Sequence, residues 1–230
     1  LGLFGFQEKN AKQRAEAAAE HRARTEEMEV YSGMRVEVTS ADGRLFLVAK
    51  LVGLRGDRAQ LELGADGSLM TKLDEPVDVT MRGYSSLENR AVSMEGSVRT
   101  GPNKLWLVEH LSLVEQQTEN RANVRVETAI EGSFTLVGRP GVPEEHCQVK
   151  NMGMGGVCIS SQSRRDVGDK VLLQVEQILE LRNTPLCCQI LRIDDRRPGY
   201  FEYGCRFQDM EEETERRLFR AMYALYHGLY

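Results

Sequence analysis

Apolar residues recur at every second position from Met34 onward, in short runs closed by Gly, Pro, Asp or Asn. Such alternation sends successive side chains to opposite faces of a pleated strand, which suits a half-buried β-strand and not a helix. MRVEV is followed by the turn SADG at 40–43 and RLFLVAKLVGL by the turn RGD at 55–57, and RAQLEL completes the opening series. Further strands are predicted over Val77–Met81, Ala91–Arg99 and Lys104–Leu113, with GPN at 101–103 turning the last two into a hairpin. No long helical pattern intervenes, so residues 31–114 are expected to form a small antiparallel β domain, barrel-like in its closure.

The polar stretch EQQTENRAN at 115–123 breaks the pattern and reads as a linker that carries Arg121. A second strand series follows over Val124–Glu127, Gly132–Val137, His146–Asn151, Gly156–Ser160, Lys170–Val175, Leu186–Asp194 and Phe201–Phe207. The turns GRPG at 138–141, MGMGG at 152–156 and RPG at 197–199 separate its members. The period then changes. In EEETERRLFRAMYALYHGLY, Leu218, Met222, Leu225 and Leu229 share one helical face, and the acidic residues 211–213 sit where a helix dipole favours them. This terminal helix is expected to pack on the second barrel, giving a domain over 124–230. Residues 7–28, rich in Ala, Glu and Arg and free of Gly and Pro, predict an N-terminal helix within a segment spanning 1–30. With few large apolar residues, that helix is expected to be solvated or to meet a partner, a second copy of the chain included. The fold class is therefore mostly β: two antiparallel β-barrel-like domains in tandem, with a helix at each end.

Composition narrows the function. With 30 Lys+Arg against 35 Asp+Glu, the net charge of −5 argues against a general DNA or RNA binder, so any anion site must rest on a few placed arginines. No apolar run approaches the roughly 18–20 residues of a membrane span. The opening LGLFGFQEKN has too short an apolar part and no basic leader for a signal peptide, and its first residue, Leu, leaves room for an upstream segment. The five cysteines are odd in number and form no CxxC pair, which points to a reduced, cytoplasmic protein. His146 and Cys147 are adjacent but no second ligand pair follows them, so no metal site is expected. No nucleophile elbow, zinc-binding HExxH, Walker loop or dinucleotide fingerprint occurs, and no enzyme is expected.

Three pieces near the linker stand together: Arg121 and Arg125 four apart in ENRANVRV, Asn151 opening NMGMGG, and YGCRF at 203–207 before the terminal helix. Singly each is weak; RxxxR also occurs at Arg192/Arg196 and Arg216/Arg220, where it reads as chance. In this order they resemble the PilZ domain, whose motifs are RxxxR near the start and a [D/N]xSxxG strand. The resemblance covers about 119–230 and maps RxxxR to Arg121 and Arg125. It maps the second motif to Asn151, Gly153 in place of Ser, and Gly156. The preceding β domain, with YSGMRVEV at 31–38, resembles the N-terminal module of flagellar-brake PilZ proteins.

The resemblance implies a six-stranded barrel that binds cyclic di-GMP as its ligand, needs no cofactor, and restrains flagellar motility through motor or stator proteins. Arginine suits such a ligand, because its planar fork pairs with phosphate and reads a guanine edge. Two arginines on a flexible linker can fold over it from one side. Asn151 has an amide for a guanine edge, and the glycines permit close approach. The ligand, gripping linker and barrel together, would then set the angle between domains. Gly153 lacks the hydroxyl of the family's serine, a loss of roughly 0.5–1.5 kcal/mol, so Gly153→Ser is expected to tighten binding modestly or leave it unchanged. The alternative is a degenerate PilZ module without nucleotide binding, acting in protein interaction or oligomerisation through residues 7–28. Arg139, Arg164 and Arg165 are further arginines without a spacing argument.

Overall fold

The computed structural model describes residues 30–64, 72–73, 75–85, 90–102, 105–114, 123–197 and 199–230. The N-terminal helix expected over 7–28 and the linker residues up to Ala122, Arg121 among them, lie outside these. The chain divides into two compact units, Leu1–Ala122 and Asn123–Tyr230.

In the first unit, strands β1 (Arg35–Ser40), β2 (Phe46–Arg55), β3 (Arg58–Leu63), β4 (Val77–Ser85), β5 (Arg90–Thr100) and β6 (Leu105–Leu113) follow the period-two runs. They pair in the closed order β1-β2-β3-β6-β5-β4. Alternation does the sorting: in β3, Ala59 and Leu61 enter the core while Arg58, Gln60 and Glu62 stay out. Val36, Val38, Leu47, Leu61, Met81, Met94, Trp106 and Val108 fill the interior. The SADG turn is held by its own side chains. Ser40 Oγ donates to Asp42 Oδ1 at 2.5 Å, and the Arg44 backbone N–H donates to the same oxygen at 3.0 Å. These bonds pull the Asp42 carboxyl down to about 2, the Ser40 hydroxyl contributing most.

In the second unit, β7 (Arg125–Leu136), β8 (Glu145–Gly153), β9 (Gly156–Ser161), β10 (Lys170–Gln174), β11 (Leu186–Arg197) and β12 (Tyr200–Phe207) precede the helix α1 (Glu212–Tyr226). Their closed order is β10-β11-β12-β9-β8-β7. This is the topology of the first unit repeated with other residues, since in both the last strand inserts between the third and the fifth. The core is built on Phe134, Val149, Met152, Ile159, Leu173, Ile190 and Tyr203.

The terminal helix is amphipathic as expected, and packs against a 3₁₀ turn at Leu179–Leu181 and against β7. Leu218, Met222 and Leu225 are buried, each fully buried side chain of this kind being worth roughly 1.5–3 kcal/mol. Glu212, Glu213 and Glu215 occupy its first turn. It ends in a Schellman motif: Gly228, at φ +66°, donates to Leu225 O at 3.2 Å, and Leu229 N donates to Ala224 O at 2.8 Å. Leu229 therefore lies past the helix and is 69% exposed, outside the buried face its spacing suggested.

Two further expectations change. The segments Val124–Glu127 and Gly132–Val137 are one continuous strand, β7, with a register shift against β8 between Glu127 and Ile130. The hydroxyl of Thr128 donates to Val149 O at 2.7 Å there, giving the irregular backbone a partner. Arg125 is the first residue of this strand, as the expected segment Val124–Glu127 has it, and so does not sit on a flexible linker as the two-arginine picture had it.

Candidate functional site

Registers across the second barrel set the site. Arg125 on β7 stands opposite Gly153 on β8, Gly153 opposite Gly156 on β9, and Gly156 opposite Arg206 on β12. Cross-strand partners share a face, so two glycines lie in a row between two arginines. Arg125 and Arg206 are exposed, which makes this the outer face. One row along, Glu127 stands opposite Asn151, Asn151 opposite Cys158, and Cys158 opposite Gly204. Asn151 belongs to this outer face only because of a bulge. Val149 pairs with Ile159 and Asn151 with Cys158, so Lys150 is the extra residue, and parity reverses around it. Val149 and Met152 point into the core on either side.

The glycines are required by what passes over them. A Cβ at Gly156 would fall on the carbonyl oxygen of Cys205. A Cβ at Gly153 would stand 2.5 Å from Val124 O and 3.5 Å from Arg125 Cγ, so the start of β7 lies close against it. The missing serine of the motif is therefore more than a missing hydroxyl, because in this backbone the start of β7 fills the space. The expected effect of Gly153→Ser changes accordingly: the Val124 carbonyl must shift, and ligand binding should weaken several-fold. An isothermal titration of that variant checks this, and unchanged or tighter binding would show that the start of β7 yields without cost.

The site is electrostatically mixed. Burial pushes the Cys158 thiol up, the Glu202 carboxylate adds to this, and the guanidiniums of Arg192 and Arg125 oppose it. Burial also drives Cys147 and Cys205 up to about 12. At neutral pH these thiols carry no thiolate with which to attack a substrate. Among the described residues no group of three His, Cys, Asp or Glu is placed to hold a metal ion.

Of the residues singled out by sequence, Arg125, Asn151, Gly153 and Gly156 come together on adjacent strands of one face, and Arg121 lies outside the described residues. The additional arginines do not join them. Arg139 forms an ion pair with Asp169 at 3.2 Å beyond the far end of β7. Arg165 pairs with Glu145, and its backbone N–H donates to the Tyr203 hydroxyl at 3.0 Å. Arg164 lies over the Phe201 ring at 6.0 Å, at the opposite end of β12 from Arg206. Sequence reasoning passed over Arg206 and Arg192. Arg206 was visible within YGCRF as an outward neighbour of the inward Cys205, whereas the placement of Arg192 depends on a bulge that leaves no sequence mark.

No curated protein matches the chain. Among solved structures, the inhibitor of motility MotI/DgrA of Bacillus subtilis is similar at 12% identity and TM-score 0.38, covering 87% of this chain and 98% of its own. YcgR from Escherichia coli, in complex with c-di-GMP, is similar at 12% identity and TM-score 0.37, covering 93% of this chain and 89% of its own. MrkH of K. pneumonia in its apo state is similar at 11% identity and TM-score 0.41, covering 93% and 94%. Residues 119–224 match the PilZ domain family. The second half of this chain is thus a PilZ domain, preceded in sequence by a further six-stranded β barrel.

Proposed function

We propose that the chain is a non-catalytic receptor for cyclic di-GMP, which it binds on the outer face of β7, β8 and β9. The observation that carries this reading is the row in which Arg125, Gly153 and Gly156 stand side by side within the PilZ domain. Arg125 and Arg121 pair with ligand phosphate or a guanine edge, Asn151 hydrogen-bonds a guanine, and Gly153 and Gly156 let the backbone at Val124 and Cys205 pass close, which brings Arg125 up to this face. Ligand held by Arg121, which precedes the barrel, and by the barrel itself sets the orientation of the two units. The output is control of flagellar motility through motor or stator proteins in the cytoplasm.

The test is an isothermal titration of the full chain with cyclic di-GMP, with the Arg121→Ala/Arg125→Ala double variant as control. Saturable micromolar or tighter binding that the double variant loses supports the receptor. An absence of heat and of thermal shift at high ligand overturns it in favour of a PilZ module specialised for protein interaction or self-association. The observation favouring that second reading is Gly153, with neither a hydroxyl nor room for one. Light scattering on chains with and without residues 1–29 tests self-association.

A further inference from the structure

Arg192 is the residue that the proposed site leaves unused. The strand β11 bulges just before it: Ile190 pairs with Cys205 and Arg192 with Gly204, so Leu191 is the extra residue. Ile190 is buried in the core, and simple alternation would send Arg192 inward too. The bulge reverses the parity and turns Arg192 to the outer face. Its stem then lies across the next strand. A Cβ at Gly204 would stand 2.5 Å from Arg192 Nε, 2.7 Å from Cγ and 3.1 Å from Cδ. Gly204 is itself opposite Cys158 of β9. Arg192 thus crosses Gly204 from β11, Arg125 starts beside Gly153 on β7, and the charges of both act on the Cys158 thiol of β9. In the closed barrel four strand spacings of about 4.8 Å separate the two backbones by way of β9, and two by way of β10.

Arg192 is 54% exposed, and its Nη1 forms an ion pair with Asp194 Oδ2 at 3.0 Å. Asp194 stands directly opposite Glu202, an unfavourable pairing of like charges. A carboxylate oxygen on a guanidinium fork marks the position that a phosphate oxygen would take.

We propose that Arg192 is a further ligand-contacting arginine of this face, engaging a phosphate of the bound nucleotide from the side opposite Arg125, and that Asp194 holds the same fork in the unliganded chain and competes with the ligand for it. This inference rests on the receptor reading above. It makes Asp194 an intramolecular brake on affinity, and Gly204 the gap that lets the arm lie down.

Titrations of the full chain with cyclic di-GMP test it, alongside Arg125→Ala. Arg192→Ala should raise the Kd about 5- to 20-fold with no change in melting temperature. Arg192→Lys, which keeps the charge and loses the fork, should recover part of the difference. Asp194→Asn should tighten binding about 2- to 5-fold, and that gain should vanish when Arg192→Ala is already present, as a double-mutant cycle reads coupling. Binding that is lost in Arg125→Ala but within twofold of normal in Arg192→Ala overturns the inference alone. A fall in melting temperature with binding unchanged also overturns it, assigning Arg192 to neutralising Asp194 and Glu202. A wild-type chain that binds no cyclic di-GMP overturns the receptor and this inference together.

Discussion

Arg125→Ala is expected to weaken cyclic di-GMP binding by roughly ten- to a hundredfold while the barrel stays folded. The magnitude is that of a hydrogen bond to a charged group, about 1.5–3 kcal/mol, and each 1.4 kcal/mol or so is a factor of ten in Kd. The effect should sit at the upper end, because Arg125 is fixed where it is needed. As the first residue of β7 it is in register with Gly153, and its Cγ lies 3.5 Å from where a Cβ on that glycine would stand. An arm already laid along the site loses less entropy on binding than one free to rotate in solvent. Stability should hardly move, since substitutions of exposed side chains usually stay within about 0.5 kcal/mol. Calorimetric titration and a thermal melt on the same preparation separate the two quantities. If melting falls and binding persists, the guanidinium serves the fold and the receptor reading loses its main residue.

Gly156→Ala is the substitution expected to damage the structure most for its size. The added Cβ would land on the carbonyl oxygen of Cys205, a backbone atom that cannot rotate away. Gly156 is the last paired residue between β9 and β12, so the cost is a local parting of two strands that close the barrel. Overpacking of a tight site costs typically 1–3 kcal/mol, and the upper end is expected where the clash is with main chain. At roughly 4–8 °C per kcal/mol for a domain of this size, melting should fall by about 10 °C or more. Far-UV circular dichroism reads both barrels. The single tryptophan, Trp106, is buried in the first and reports on that one. Loss of the circular-dichroism signal at a lower temperature is the expected outcome, and an unchanged melt would mean that the β9–β12 contact is looser than its register indicates.

The strands were legible because each has one buried face. In β3, Ala59 and Leu61 alternate with Arg58, Gln60 and Glu62, and periodicity alone sets its limits, as it nearly does for β10 and β12. Strand partners were not legible, since nothing in the alternation of β3 says that it pairs with β6 and not with β4. The bulges were equally hidden. Lys150 and Leu191 look like ordinary members of their runs, yet each reverses the parity of the residues beyond it. Asn151 was found because a motif pointed to it independently of parity. Arg192 had no such pointer, and its RxxxR spacing to Arg196 looks like coincidence. Arg125 was legible as strand, since the alternation of Arg125, Val126 and Glu127 belongs to the expected segment Val124–Glu127 and to β7, although the polar EQQTENRAN before it suggested a flexible approach.

Synthesis on the ribosome exposes sheet edges before it covers them. In each unit the final strand is inserted between two that were made earlier, β6 between β3 and β5, and β12 between β9 and β11. Until that strand emerges, the nascent sheet presents two open edges, which are templates for unwanted pairing. At roughly 5–20 residues per second during translation, the second unit waits in this condition for seconds while residues 200–207 are still to come. A chain interrupted anywhere between Ser161 and Tyr200 should therefore aggregate, whereas one interrupted soon after Leu113 already holds all six strands of its first barrel. Premature termination in the second half of the gene would thus yield a sticky product, with more to lose than a missing signal.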